Sequence, residues 1–308
     1  MSSTGSVAPT ASDSGLTPSE VVGYKVAGYI SLSLYAVVTV GIAAQLYMHI
    51  THHSDLKRIG FHLLLLFAVA AETPTSLQFI VNPNSTQWIG MFLCEVYAQL
   101  LQCFALAMIA LAWARAAAAG HHDGPVTLRK VVLACNVVIF LCVLGSSCAI
   151  ATYPDTLAGQ IDFMNSPLYY VLVVSGCVTL LGTGFFLVYQ GCCIASRLLR
   201  ARAVLGEDEV YRSLSKLLVS LWTIMLCICL RVFFTACLAL DVAFIENMDI
   251  VPFTVWSTLV PDVFPALCLL YLQRKTPTEM THRRKQVRVA SQAPTEPYMM
   301  HTTEVSPV

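Results

Sequence analysis

The sequence predicts an all-α fold, a seven-transmembrane-helix bundle with its N-terminus non-cytosolic and its C-terminus in the cytosol. Three observations lead there. Of the 308 residues only 12% are charged and 56% are hydrophobic, and the mean hydropathy is +0.69. A soluble domain is typically about a quarter charged. Apolar runs at 24–48, 58–81, 88–114, 130–152, 168–195, 217–241 and 250–272 each reach the roughly 20 residues of helix that cross a bilayer core. Lysine and arginine fall on alternate connections. Segments 49–58, 115–130, 196–216 and 273–308 hold 16 of the 18, whereas 1–23, 82–87, 153–167 and 242–249 hold none. That is the positive-inside pattern at every crossing, and one missed or extra span would scramble it.

Residues 1–23 are rich in Ser, Thr, Gly and Pro and are expected to form a disordered non-cytosolic tail. No basic segment with a small-residue cleavage site precedes the first apolar run, so a cleaved signal peptide is not expected. Residues 24–277 make the membrane domain, and 278–308 a disordered cytosolic tail. The runs are separated by polar or turn-rich breaks such as Asn82-Pro83-Asn84-Ser85-Thr86 and Glu207-Asp208-Glu209. They are too long and too continuously apolar for barrel strands, so helices must satisfy the backbone, with the lipid bilayer as the first partner. Most of the twelve cysteines lie within these runs and act as small hydrophobes. No C-x-x-C pair occurs in a polar segment, so neither a zinc nor a redox motif is expected.

Four ionisable side chains fall inside the spans: Glu72, Glu95, Arg231 and Asp262. Each costs about 2.5–3.5 kcal/mol at the membrane centre on insertion scales, so they should face the bundle and find partners. Depth counting puts Arg231 and Asp262 near mid-membrane on consecutive helices, with Glu72 somewhat beyond. The economical arrangement is an Arg231–Asp262 pair with Glu72 as a neutral or competing partner. Such a cluster is either a lock between helices or a polar site for a ligand or proton-coupled switch. Pro261 and Pro265 bracket Asp262, and Pro74 stands beside Glu72, so kinks are expected at both places.

His49, His52 and His53 have a spacing that would put three imidazoles on one helical face, as metal ligands or as plain interfacial residues. Asn84-Ser85-Thr86 is a glycosylation sequon. Cys192 and Cys193 are candidates for palmitoylation or for core packing. The tail ends Ser306-Pro307-Val308, the pattern that PDZ domains read by strand addition. Arg283, Arg284, Lys285 and Arg288 can rest on anionic lipid or simply set topology. No nucleophile elbow, HExxH site or phosphate loop is present, so no catalytic residue, cofactor or nucleic-acid partner is expected.

The last two spans carry a recognisable pattern. Cys229-Leu230-Arg231, Ala239-Leu240-Asp241 and Asp262-Val263-Phe264-Pro265-Ala266-Leu267, running on to Arg274-Lys275-Thr276-Pro277, resemble the end of the tobamovirus multiplication protein family. That family comprises plant seven-helix membrane proteins and their animal orphan-receptor-like relatives. Phe61-His62-Leu63-Leu64, Ala112-Trp113-Ala114 and Tyr189-Gln190-Gly191 agree with it, and the similarity extends over about residues 25–277. This chain departs by carrying Glu72 where plant members have Arg, Arg115 where they have Glu, and Asp262 where Glu is usual. The resemblance implies a vacuolar, lysosomal or other endomembrane location. It also implies a scaffold or receptor-like role with Arf-like or Rag-type small GTPases as partners.

The cytosolic docking candidates are Arg197, Arg200 and Arg202 around the acidic turn Glu207, Asp208 and Glu209. The competing reading is a G-protein-coupled-type receptor. Against it, the third span ends Trp113-Ala114-Arg115-Ala116 rather than Asp-Arg-Tyr, the seventh lacks Asn-Pro-x-x-Tyr, and segment 153–167 has no Cys to bridge Cys94. The seventh span has no Lys for a retinal Schiff base. A transporter is a third reading.

Overall fold

The computed structural model describes residues 16–52, 56–118, 124–200 and 207–273, all within one compact unit that runs to Gln273. In chain order they form α1 (Pro18–Thr51), α2 (Leu56–Val81), α3 (Ile89–Ala117), α4 (Gly124–Ile150), α5 (Leu157–Met164), α6 (Pro167–Arg200), α7 (Glu207–Ala239), α8 (Ala243–Glu246) and α9 (Ile250–Thr254). A π-helical turn, Val255–Leu259, then joins α9 to α10 (Val260–Gln273). Seven helices are long and apolar enough to cross a membrane: α1, α2, α3, α4, α6, α7 and the joined α9–α10 span. Val37, Val40, Val174, Trp222 and Leu226 point outward from them, as lipid-facing residues must. The chain is an integral multi-pass membrane protein.

Two helix starts differ from expectation. α1 begins at Pro18, so residues 18–23 are helical rather than disordered. The reason is local: Thr17 and Glu20 form a reciprocal capping box with Pro18 at the first helical position. α7 begins at Glu207, so Glu207, Asp208 and Glu209 are its first turn and not a connecting turn. Acidic groups suit that end because the helix dipole is positive there. Residues 207–216 therefore prolong the helix by about 15 Å beyond the apolar run that starts at 217.

The helices close a ring in the order α1, α2, α3, α6, α7, α9–α10 and back to α1, while α4 lies outside it with α3 as its main neighbour. The main core cluster reflects this, with Tyr35, Ile42, Leu65, Leu106, Leu187, Ile224 and Leu269 buried and no described α4 residue in that cluster. Close helix approach rests on small residues. A Cβ on Gly28 would lie 2.8 Å from the Ser76 carbonyl oxygen of α2, and one on Gly191 would collide with Leu221 of α7.

The seventh span breaks its register where the prolines predict. Pro261 has no N–H and its ring would crowd the carbonyl four residues back. The chain responds with the π-turn, in which the Val260 N–H donates to the Val255 carbonyl oxygen. One extra residue in a turn rotates the remainder of the helix by about 100°, and Asp262 sits just beyond that rotation.

Candidate functional site

The buried charges converge on Arg231. Its Nη1 donates to Asp262 Oδ1 at 2.7 Å and its Nη2 to Glu95 Oε1 at 3.0 Å. With the Gln99 amide turned to present its oxygen, that oxygen accepts from Nε at 3.2 Å and Nη2 at 2.5 Å. Tyr35 donates its hydroxyl to the other Asp262 oxygen, Oδ2, at 3.3 Å. One guanidinium thus joins α3, α7 and α10 directly, and α1 through Tyr35. Arg231 and Asp262 are buried, whereas the Glu95 side chain is 43% exposed.

The depth of the network follows from helix rise. From the helix ends opposite the lysine- and arginine-rich connections, Glu95 lies about 9 Å in, Arg231 about 12 Å, Glu72 about 14 Å and Asp262 about 18 Å. The cluster runs from the middle of the bundle, at Asp262, into the half away from those connections.

Glu72 is where the structure departs from the expected arrangement. It is buried, yet among the described residues no hydrogen bond or ion pair reaches its carboxylate, and Arg231 takes Glu95 as its second acid. Depth along a helix does not determine which way a side chain turns, and Glu95, not Glu72, is on the face that meets α7. Glu72 instead lines a small cavity with Tyr35, Leu65, Ala68, Val69, Ala98, Gln102, Asp262 and Ala266. The cavity holds about 10 Å³, room for about one water molecule. Organic ligands occupy pockets of about 300–1,000 Å³, so in this conformation the site takes nothing larger than a water or a small ion.

A second structured region covers the same end of the bundle. The Asp155 carboxylate, in the connection before α5, accepts from the Trp88 N–H at 2.8 Å and the Ile89 N–H at 3.1 Å. Trp88 is the residue at which α3 starts, and its own side chain does not cap the helix; Asp155 supplies the cap from another part of the chain. Trp88 Nε1 donates to the Pro154 carbonyl oxygen at 3.2 Å, and its ring stacks on Phe163 of α5 with centroids 5.0 Å apart. Phe92, Tyr153 and Tyr169 meet Phe163 edge-on. The segment that lacks a cysteine to bridge Cys94 is tied to α3 by a carboxylate and an aromatic cluster.

At the other end, Arg197 Nη1 donates to the Ala116 carbonyl oxygen at 2.9 Å and so covers the C-terminal end of α3. Arg200, Glu207 and Asp208 are exposed; Arg202 and the Glu209 side chain lie outside the described residues. His49 is buried against His62 of α2 with ring centroids 4.6 Å apart, whereas His52 is exposed at the helix end. His53 lies outside the described residues, and among those described no three metal-ligating side chains come together. Asn84 is exposed in the connection between α2 and α3, Cys192 is exposed and Cys193 half-buried. Ser306, Pro307 and Val308, with the basic tail, lie outside the described residues.

No family model matches the sequence, and no curated protein matches it.

Proposed function

We propose that this protein is a membrane scaffold of receptor-like architecture whose cytosolic face recruits soluble partners, with small GTPases of the Arf-like or Rag type as the partner class. The observation that carries the reading is the length of α6 and α7, 34 and 33 residues. At about 1.5 Å per residue each is about 50 Å long, some 20 Å more than a bilayer core. The excess at the basic end is a pair of polar helical extensions carrying Arg197, Arg200, Glu207, Asp208 and Arg212. Mixed charge on rigid helices suits docking of a folded partner by charge complementarity. The positive-inside pattern assigns this end to the cytosol, and the resemblance to the tobamovirus multiplication proteins supports the endomembrane setting and the GTPase class.

Replacing Glu207, Asp208 and Glu209 together with Ala separates docking from topology, because topology needs the basic residues and not the acids. The expected result is unchanged insertion and localisation with about a tenfold loss of small-GTPase recovery, three surface pairs at roughly 0.5 kcal/mol each. Equal recovery of the same cytosolic partners would remove the α7 extension from the docking surface.

A receptor for an unknown ligand is the second reading. It is favoured by the Arg231 network, which links the first, third, sixth and seventh spans beneath the Asp155 strap.

A further inference from the structure

The bundle interior sets two buried carboxyl groups, Asp262 and Glu72, and the part-exposed Glu95 against one guanidinium. Among the described residues Arg231 is the one buried lysine or arginine, and three carboxylates surround it: Asp262, Glu95 and Glu72. The donors of Arg231 are directed at Asp262, Glu95 and Gln99, and none at Glu72. An ionised carboxylate in an apolar interior without a partner is strongly unfavourable, and Glu72 is only 5% exposed. It nevertheless lines a cavity, together with Asp262, Tyr35 and Gln102, that has room for one water-sized occupant.

We propose that the cavity beside Glu72 binds one small monovalent cation, either a proton on the carboxyl or a sodium-sized ion against it. The shared chemistry is a single positive charge in a water-sized space. Glu72, Asp262, Tyr35 and Gln102 are the polar residues among its lining, and a neutral acid hydrogen-bonded to a water fits the same space. The titratable and charged groups that face Glu72 are Tyr35 from α1, Cys94 and Glu95 from α3, Arg231 from α7 and Asp262 from α10. Because Asp262 borders the cavity and also holds Arg231, the occupant is coupled to the link between α7 and α10. Loss of the cation leaves Glu72 and Asp262 repelling each other beside the same cavity, which weakens the hold on Arg231.

The test uses the purified full-length protein in lipid nanodiscs and follows thermal unfolding. One arm varies pH from 5 to 8 in choline chloride; the other replaces choline by sodium at fixed pH and ionic strength. A proton bound only in the folded state makes stability fall as pH rises. A bound sodium ion restores stability, most at high pH where the carboxylate is ionised, by on the order of 3 °C at tenfold excess over Kd. In E72Q, which has the same shape without the charge, that part of the dependence should vanish; E72M serves the same comparison if E72Q is not recovered folded. A dependence on pH alone assigns the proton, and one that sodium reverses assigns the ion. Parallel wild-type and variant curves in both arms would overturn the proposal. The measurement involves no cytosolic partner, so its result is separate from that of the docking experiment.

Discussion

Arg231→Met should be the most damaging single substitution in the membrane domain, with a loss of about 3–5 kcal/mol. Methionine fills much of the same volume, so the effect isolates charge and hydrogen bonding from packing. It leaves Asp262 without its 2.7 Å partner and Glu95 without its 3.0 Å partner. Asp262→Asn should cost less, because Arg231 keeps Glu95 and Gln99. A double-mutant cycle between positions 231 and 262 should give a coupling of about 1–3 kcal/mol. The cycle between 231 and 95 should give less, since that contact is the longer of the two, 3.0 Å against 2.7 Å. Charge reversal of the pair, Arg231→Asp with Asp262→Arg, should restore only part of the loss, because an aspartate at 231 would face Glu95. Additive losses at 231 and 262, read by unfolding in detergent or by the fraction recovered folded, would mean that the two side chains do not meet.

The second large effect is expected at Asp155. Asp155→Ala removes two hydrogen bonds from a charged acceptor to the first N–H groups of α3, a loss of about 2 kcal/mol. The damage should be local. Hydrogen exchange in 154–164 and at the start of α3 should accelerate, and the fluorescence of Trp88 should shift as its stack on Phe163 loosens. Asp155→Asn retains a neutral acceptor and should keep about half the stabilisation. If exchange in 154–164 is the same in the alanine variant and the wild type, the strap is held by the aromatic cluster alone.

How much of this was legible in the sequence depends on the range over which each feature acts. The seven spans could be read from length and hydropathy, because apolarity over a bilayer's width is a property of the segment itself. The start of α7 could not, since residues 207–216 are polar and a helix extending into water leaves no hydropathy signal. A capping box at Thr17-Pro18-Ser19-Glu20 was in plain view but stood in a stretch whose Ser, Thr and Pro content suggested disorder. Pro261 foretold a distortion in the seventh span but not its form, a π-turn that turns Asp262. Glu95 was visible as a charge within a span, yet its pairing with Arg231 depends on helix azimuth, which depth counting does not supply. The Asp155 cap joins residues more than sixty positions apart, and α5 is eight residues long; neither has a local signature. Gln99 and Tyr35 enter the site only through the packing of α1 and α3 against their neighbours.

Both functional readings, scaffold and receptor, depend on which side of the membrane each end of the bundle faces. Epitope tags placed at the N-terminus, in 82–87, in 201–206 and after residue 278, probed with protease in cells whose plasma membrane alone is permeabilised, test this directly. The lysine and arginine distribution predicts that the first two tags are protected and the last two are cleaved. Cleavage of the N-terminal tag together with protection of the tag in 201–206 would invert the protein, place the α6–α7 extensions in the lumen and contradict the account.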